Sequence, residues 1–209
     1  VNCLFFFDNQ LYIIKILSFL ILIIGILSDI NKFKSPKFRI ISQFFIILIF
    51  LLLNKNLAIS DLRVDFFNNY LEIEFISIFF TIFCILILIN GSNFLDGLNT
   101  LVIGYYILVL TAIVIVSTQF NLNINPNVYY LIIFLSIVFL LNFFNKIYLG
   151  DAGSYLISFL IAYFLLDFFS NNDSISPYFI CLLLWYPAFE NLFSIIRKFS
   201  LKKKIEQAD

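Results

Sequence analysis

Seven long apolar runs restrict what this chain can fold into more than any other feature of the sequence. They cover residues 11–28, 38–54, 73–90, 98–118, 128–145, 155–170 and 177–197. A bilayer core about 30 Å thick is crossed by roughly 20 apolar residues in a helix, and in lipid a helix satisfies the backbone hydrogen bonds of each run internally. With 62% hydrophobic and 12% charged residues, the sequence predicts an all-α, polytopic transmembrane helix bundle of about seven spans, with residues 1–209 forming a single integral membrane domain.

Charge and cysteine content exclude several classes of protein. Thirteen basic and 13 acidic residues balance to a net charge of zero, so no bulk attraction to nucleic acid is expected. The three cysteines are odd in number and widely spaced, which argues against a disulfide framework or a zinc site. Because the chain starts with Val1 and contains no Met, we expect it to be a fragment, incomplete at both ends.

The Lys and Arg residues of the short loops predict the orientation of the bundle. One side collects Lys32, Lys34, Lys37, Arg39, Lys146, Arg197, Lys198, Lys202, Lys203 and Lys204. The other side has Lys55 and Arg63, diluted by acidic neighbours, in a loop (54–72) long enough for a short amphipathic helix on the membrane surface. Since cytoplasmic loops carry the excess of basic residues, we expect the first side to be cytoplasmic and the N-terminus to lie outside.

Three aspartates, Asp29, Asp96 and Asp151, each lie in a polar segment at the end of an apolar run. The segments cover residues 25–29, 90–99 and 148–154. Two apolar runs separate consecutive aspartates, and an even number of crossings returns the chain to the same side of the membrane. All three carboxylates are therefore predicted on the cytoplasmic face, and polar groups at membrane depth are costly enough to indicate function.

The first polar segment leads into a basic loop. Asp29 is followed by four cations, of which Lys37 and Arg39 are the last two. Lys and Arg pair with phosphate oxygens, and a nearby carboxylate can bind Mg²⁺ or accept a proton, so the loop indicates a phosphate site. A loop that is basic for topological reasons alone explains it equally well. Arg39 and Gln43, four residues apart, are predicted to share one face of the second helix.

The second polar segment has the most specific pattern. Four polar residues recur at every third position, namely Asn90, Asn93, Asp96 and Asn99. On a continuing helix this spacing predicts one polar stripe, and nearby glycines allow a ligand or another backbone to approach closely. An Asn stripe can also join helices in lipid. Three amides and a carboxylate exceed what one helix contact needs, so we interpret the stripe as a binding site.

The third polar segment comes directly before an apolar run. Asp151 or Ser154 can simply cap the N-terminus of the helix that follows. Backbone N–H groups at such an end also bind anions, and Asp151 beside them can hold a divalent ion that bridges phosphates. Tyr148 has a ring suited to stacking on a base, although a role as an interfacial anchor fits its position equally well.

In this order and at these span positions, the polar segments resemble those of the polyprenyl-phosphate N-acetylhexosamine-1-phosphate transferases. These membrane enzymes begin bacterial peptidoglycan-precursor, O-antigen and teichoic-acid assembly. The motifs that carry the resemblance are Asn90-x-x-Asn93-x-x-Asp96-Gly97 and Gly150-Asp151-x-Gly153-Ser154. The resemblance implies a Mg²⁺-dependent phosphoglycosyltransferase of the bacterial inner membrane. It would move a sugar-1-phosphate from a UDP-N-acetylhexosamine to polyprenyl (undecaprenyl) phosphate at the cytoplasmic face and release UMP, and it leaves room for a homodimer.

The resemblance also implies roles for individual residues. Asp151 would be the Mg²⁺ ligand, with Asn93 near the metal and the pyrophosphate. Asp96 and Asp29 would be catalytic carboxylates, and Asp29 would deprotonate the acceptor phosphate or orient it. Substrate contacts are expected from Asn90, Asn93, Asn99, Tyr148, Lys37, Arg39, Gly153 and Ser154, with Asn99 and Tyr148 facing the uracil.

The chain departs from the family pattern in several places. Where the family has an Asp-Asp pair, this chain has Ser28-Asp29, so Asp29 would carry any base role alone. Asn99 and Glu190 occupy positions at which the family has Asp. Family members also have a His-rich motif in the last large cytoplasmic loop, and this chain has no His. We expect that motif to lie beyond Asp209.

Two other functions compete with the enzyme interpretation. An ion-coupled transporter predicts carboxylates in the middle of spans and broken helices in paired halves, whereas the aspartates here are at span ends on one side. A non-catalytic membrane partner explains the missing Asp and His without truncation.

Overall fold

The computed structural model of the protein describes residues 9–33 and 35–200. Within these ranges the chain forms nine α-helices and one short 3-10 helix (Lys55–Leu57), with no strand. The helices are α1 (Asn9–Asp29), α2 (Pro36–Leu53), α3 (Asp65–Leu71), α4 (Glu74–Leu95), α5 (Leu101–Phe120), α6 (Asn127–Phe143), α7 (Gly150–Ser170), α8 (Pro177–Leu183) and α9 (Trp185–Ser200). The predicted all-α membrane bundle is confirmed.

Five of the predicted spans are single helices that are long and apolar enough to cross a membrane. These are α1, α2, α4, α5 and α7, with spanning segments of 18 to 22 residues. Helix α6 is also apolar but has only 17 residues, so it is the shortest of the unbroken predicted spans. The chain is therefore a multi-pass membrane protein.

The last predicted span, residues 177–197, is not a straight helix. It is broken between α8 and α9, which are bent by 64°. Pro187 has no N–H to donate to the Leu183 carbonyl one turn earlier, and a proline ring inside a helix clashes with that carbonyl. The hydroxyl of Tyr105 on α5 donates to the Leu183 oxygen instead, at 2.5 Å. The bend therefore has a cause in the sequence and a compensating hydrogen bond from a neighbouring helix.

Helix α7 lies at the centre of the bundle. It packs most extensively against α1 and α4, and most of its residues are buried, including fully buried Tyr155 and Phe159. By contrast, the outer surfaces of the surrounding helices expose many large apolar side chains, as expected for surfaces that face lipid. Helix α7 thus provides the frame on which the polar residues of the other helices are placed.

The bundle has two polar ends. We call residues 28–33, 35–39, 90–100 and 142–154 the aspartate end, because all three predicted aspartates lie there. The other end contains α3 and the loops around residues 121–127 and 171–176. There the backbone of Ile59 is held by Ser77 and Thr81 of α4 through hydrogen bonds of 2.8 Å each. Helix α3 lies within the loop for which a short surface helix was predicted, and it exposes Phe66 and Phe67.

Candidate active site

The first turn of α7 is capped by carboxylates that belong to other helices. The residue that precedes the helix makes no side-chain cap. Instead, Asp29 at the end of α1 accepts hydrogen bonds from the N–H groups of Asp151 (2.9 Å) and Ala152 (3.1 Å). The N–H of Gly150 lies close enough to the Asp96 carboxylate, which follows α4, to lower its pKa. Negative charge at a helix N-terminus is favoured by the free N–H groups and by the helix dipole. The three predicted aspartates therefore meet at one helix end.

Two glycines make this meeting possible. The φ angle of Gly150 is +61°, and a Cβ at this position would lie 2.9 Å from Asp29 Oδ2. At Gly25, one turn before Asp29, a Cβ would lie 2.3 Å from the Cα of Ala152. The left-handed φ and both close approaches favour a residue without a side chain. The end of α1 can therefore lie directly against the start of α7.

The Asp151 carboxylate is held by α1 and α2. Its Oδ2 accepts a hydrogen bond from the Ser28 hydroxyl and an ion-pair hydrogen bond from Arg39 Nη1 at 2.8 Å. The same Nη1 lies 2.8 Å from Ser28 Oγ and 3.4 Å from the Tyr155 hydroxyl. Both side chains of the ion pair are 23% exposed, so the pair is only partly desolvated. Ser28 is thus a hydrogen-bond donor to the Asp151 carboxylate.

Asp96 lies in a negative electrostatic environment. The pKa of its carboxyl is raised from 3.8 to about 7, mainly by burial and to a smaller degree by the charges of Asp151 and Asp29. The backbone hydrogen bond from Gly150 acts in the opposite direction. The three carboxylates are therefore close enough to repel one another, which is the arrangement that a bound cation relieves.

The donor set fits Mg²⁺ only in combination with a substrate. Within residues 9–33 and 35–200, no group of three acidic, Cys or His side chains could hold a metal ion by itself. Mg²⁺, however, is commonly bound through one or two carboxylates, with substrate phosphates and water as the remaining ligands. Asp151 and Asp96 provide such carboxylates, and the amide of half-buried Asn93 lies one turn before Asp96. These residues fit a Mg²⁺ ion shared with a phosphate.

The predicted polar stripe is only partly helical. Helix α4 continues to Leu95, so Asn90 and Asn93 lie on the helix, and Asp96 is the residue at its C-terminal cap. Asn99 lies beyond the helix in the turn before α5. The three-residue spacing therefore follows the helix as far as Asp96 and no further.

Two amides of the stripe make contacts between helices. Asn90 Nδ2 donates to Gln43 Oε1 at 3.3 Å, which joins α4 to α2. Gln43 is fully buried and lies one turn after Arg39, whose side chain also points into the bundle, so the two share a face as predicted. Asn99 Nδ2 donates to Asn145 Oδ1 at 2.7 Å and links the end of α4 to the end of α6. The helix-contact interpretation therefore applies to these two amides, whatever else they bind.

The remaining predicted substrate residues are spread around the aspartate end. Tyr148 is 74% exposed, and Lys37 is exposed in the first turn of α2. Gly153 accommodates Leu149, whose Cδ1 would lie 2.4 Å from a Cβ at position 153. Ser154 is fully buried, so its hydroxyl lies beneath the surface at which a soluble substrate arrives. Tyr148 and Lys37 are thus accessible to a ligand in this structure, and Ser154 is not.

Sequence reasoning did not identify several residues that build the site. Ser28 is a donor to Asp151, and Gly25 is the contact point of α1 on α7. Asn142 accepts from the N–H of Thr100 at 2.6 Å and donates to the Ile147 carbonyl at 2.9 Å, which fixes two loops of the aspartate end. A buried Asn near the end of an apolar run was the available signal, because such a side chain requires partners.

Comparison with known proteins identifies the family. The model of glycosyl transferase family 4 matches residues 11–169, a range that contains all three aspartates. The chain belongs to glycosyl transferase family 4. This family 4 chain is 24% identical over 206 residues to a Bacillus subtilis (strain 168) protein described as a probable undecaprenyl-phosphate N-acetylglucosaminyl 1-phosphate transferase. Both matches agree with the family resemblance that the motifs indicated.

The match to the Bacillus protein covers 97% of this chain but 56% of the relative. The family 4 chain thus spans little more than half the length of that curated relative. No solved structure matches the chain.

Proposed function

We propose that the protein containing this chain transfers an N-acetylhexosamine-1-phosphate from a UDP-sugar to polyprenyl (undecaprenyl) phosphate and releases UMP. The observation that carries this proposal is the convergence of Asp29, Asp96, Asp151 and Arg39 at one end of a membrane helix bundle of glycosyl transferase family 4. The name of the Bacillus relative supports the same acceptor and an N-acetylglucosamine donor. The enzyme class is a phosphotransferase that acts on substituted phosphate groups.

The reaction requires one bond to form and one to break. An oxygen of the acceptor phosphate attacks the phosphorus attached to the sugar, and the bond from that phosphorus to the UMP oxygen breaks, with its electron pair leaving on UMP. Both substrates are anionic, so their approach requires positive charge. When bound, Mg²⁺ supplies Lewis-acid neutralisation of the reacting phosphates. Asp151, with Asn93 and Asp96 beside it, would hold the ion.

Positive charge from the chain itself is available at the same place. Arg39 Nη1 is engaged with Asp151, whereas its Nε has no hydrogen-bond partner among the described residues. This Nε is buried, so it would reach a water molecule or a phosphate oxygen only after the Arg39 side chain shifts toward the open side of the site. Lys37, exposed on the same turn of α2, adds a second cation. We assign the acceptor phosphate or the pyrophosphate to this pair.

The nucleotide would lie on the open side of the aspartate end. Exposed Tyr148 offers an aromatic surface for the uracil, and exposed Asn99, which is bonded to Asn145, offers an amide at the same end of the bundle. Asn90 would contact the substrate only after giving up its bond to Gln43. Gly153 and Ser154 would shape the site through the first turn of α7.

The proposed location is the cytoplasmic face of the bacterial inner membrane. Lys32, Lys37 and Lys146 are exposed at the aspartate end, and basic loops remain on the cytoplasmic side. A polyprenyl phosphate keeps its tail in lipid and its phosphate at the interface, which is where this end would lie. The product would enter assembly of a cell-wall or lipopolysaccharide glycan. We propose separately that the enzyme can act as a homodimer.

The test uses the full-length protein in lipid vesicles with undecaprenyl phosphate, Mg²⁺ and either UDP-N-acetylglucosamine or another UDP-N-acetylhexosamine. Mass spectrometry of the lipid fraction should detect a polyprenyl-diphospho-sugar, and UMP should appear in equal amount. Asp151→Ala should abolish both products, whereas Glu72→Ala, an exposed acid at the other end, should not. A folded wild-type protein that forms no product would overturn the proposal and favour the non-catalytic partner.

A further inference from the structure

We infer that Asp29 is a positioning residue, which caps α7 from another helix and so places Asp151, and that it does not take the proton of the acceptor phosphate. The inference rests on the proposed function for the identity of the reaction. Its structural part concerns only α1 and α7. It differs from the expectation, drawn from the family resemblance, that Asp29 is the base.

Both carboxylate oxygens of Asp29 accept hydrogen bonds from the backbone of α7. Oδ1 accepts from the N–H of Asp151 at 2.9 Å, and Oδ2 accepts from the N–H of Ala152 at 3.1 Å. Each oxygen is therefore aimed at one backbone donor of the first turn of α7. The helix N-terminus favours a carboxylate in this place, and the two bonds hold the carboxylate against the turn that carries Asp151.

Two adjacent residues of α1, Ser28 and Asp29, both hold Asp151 of α7. The Ser28 hydroxyl donates to the side chain of Asp151, and the Asp29 carboxylate accepts from its backbone N–H. Side chain and main chain of Asp151 are therefore fixed from one short segment. This double contact is what a positioning element requires, because it defines both where the helix starts and where its first carboxylate points.

The space that the Asp29 carboxylate occupies exists because residue 150 is a glycine. Gly150 has a left-handed φ, and a Cβ there would lie within 3.3 Å of three Asp29 side-chain atoms. Helix α7 has no side-chain cap of its own, so no other group among the described residues competes for the place of Asp29 at the N–H groups of Asp151 and Ala152. The absence of a side chain at Gly150 thus leaves room for the Asp29 carboxylate, and the two backbone N–H groups hold it there.

A cap and a base respond differently to replacement by Asn. Asn is as good as Asp at an N-cap position, because its carbonyl oxygen accepts from the same N–H groups. It cannot accept a proton at neutral pH. Asp29→Asn therefore separates the two roles, and Asp29→Ala removes both.

The experiment uses the full-length protein in nanodiscs and compares wild type with Asp29→Asn and Asp29→Ala. Hydrogen exchange by mass spectrometry, on a peptide that covers the first turn of α7, reports the cap without any need for turnover. We expect the turn to remain protected in Asp29→Asn and to exchange at least about tenfold faster in Asp29→Ala, because two backbone bonds are lost. Equal protection in wild type and Asp29→Ala would overturn the cap.

Turnover and its pH profile provide the second measurement. We expect kcat of Asp29→Asn to fall by less than about tenfold and its pH profile to keep the shape of the wild-type profile, since general acid–base groups typically contribute about 10²–10⁴-fold. A loss of about tenfold or more, or a pH profile of different shape, while the turn stays protected would overturn the inference. If wild type itself forms no product, the proposed function fails, and the exchange result still decides whether Asp29 is a cap.

Discussion

Gly25 of α1 and Ala152 of α7 are in direct backbone contact. A Cβ on Gly25 would lie 2.3 Å from the Cα and 2.7 Å from the backbone nitrogen of Ala152. No flexible side chain lies between the two helices at this point, so a larger residue has to move a backbone. The contact lies one turn before Asp29, and it therefore sets the distance over which that carboxylate reaches α7.

Gly25→Ala should destabilise the protein by about 1–3 kcal/mol, as expected for overpacking against a rigid neighbour. Thermal unfolding in detergent measures the effect. Gly97→Ala is the matched control, because a Cβ there would meet only the Phe94 carbonyl oxygen at 3.9 Å. Equal melting temperatures for the two variants would contradict the close approach of α1 and α7.

Asp96 should make the stability of the metal-free protein fall as the pH rises. Burial and the charges of Asp151 and Asp29 raise its pKa to about 7, so the folded state favours the neutral carboxyl. The stabilising contribution is complete below 3.8, the ordinary pKa, and is lost as the pH rises through about 7. Melting temperatures in EDTA between pH 5 and pH 8 should therefore decline more steeply in wild type than in Asp96→Asn. Parallel curves would show that Asp96 is not in this environment.

Ser28→Asp, which creates the pair of acids that the family resemblance implies, should destabilise the metal-free protein. The new carboxylate would face Asp151 Oδ2 and would replace a donor to a charged group, a bond worth about 1.5–3 kcal/mol. Ser28→Asn has a similar size and keeps a donor, so it serves as the control. The comparison is made by thermal unfolding in EDTA. An Asp variant as stable as the Asn variant would mean that Ser28 is not a required partner of Asp151.

Thr81→Val should weaken the end of the bundle opposite the aspartates. The Thr81 hydroxyl accepts from the N–H of Ile59 at 2.8 Å and is fully buried, so valine leaves that N–H without a partner at a cost of about 1–3 kcal/mol. Thr111→Val is the control, since its hydroxyl bonds to the carbonyl of Ile107 in its own helix. The two variants should differ in melting temperature, and no difference would contradict the role of Thr81.

The sequence predicts much of the bundle because its dominant signal, apolar length, is the quantity that lipid selects. That Asp29, Asp96 and Asp151 lie at the same end of the bundle follows from counting crossings, whereas their contacts at the start of α7 depend on packing. The bend of the last span is different. Pro187 marks where a helix loses a hydrogen bond, but the hydroxyl of Tyr105 that takes the freed carbonyl comes from another helix. A contact of this kind has no periodicity to reveal it.

The capping of α7 could not be predicted for the same reason. Local rules place a cap in the residues just before a helix, and there Asp151 and Ser154 were the candidates. The structure uses Asp29 instead, from more than a hundred residues earlier. Similarly, the sequence spacing places Asn99 in the polar stripe of α4, whereas in the structure Asn99 bonds to Asn145 after α6. Residue types were informative about chemistry, but the pairing of residues depends on which helices touch.

The long separation between Asp29 and the helix that it caps has a consequence for biosynthesis. The two bonded residues are 122 positions apart, so at about 5–20 residues per second Asp29 is made roughly 6–24 s before Asp151. Asp96 is also made within this interval, so both carboxylates precede the helix whose N-terminus they cap. The site is therefore completed only when α7 enters the membrane, and a chain interrupted before that point carries the acids without their geometry.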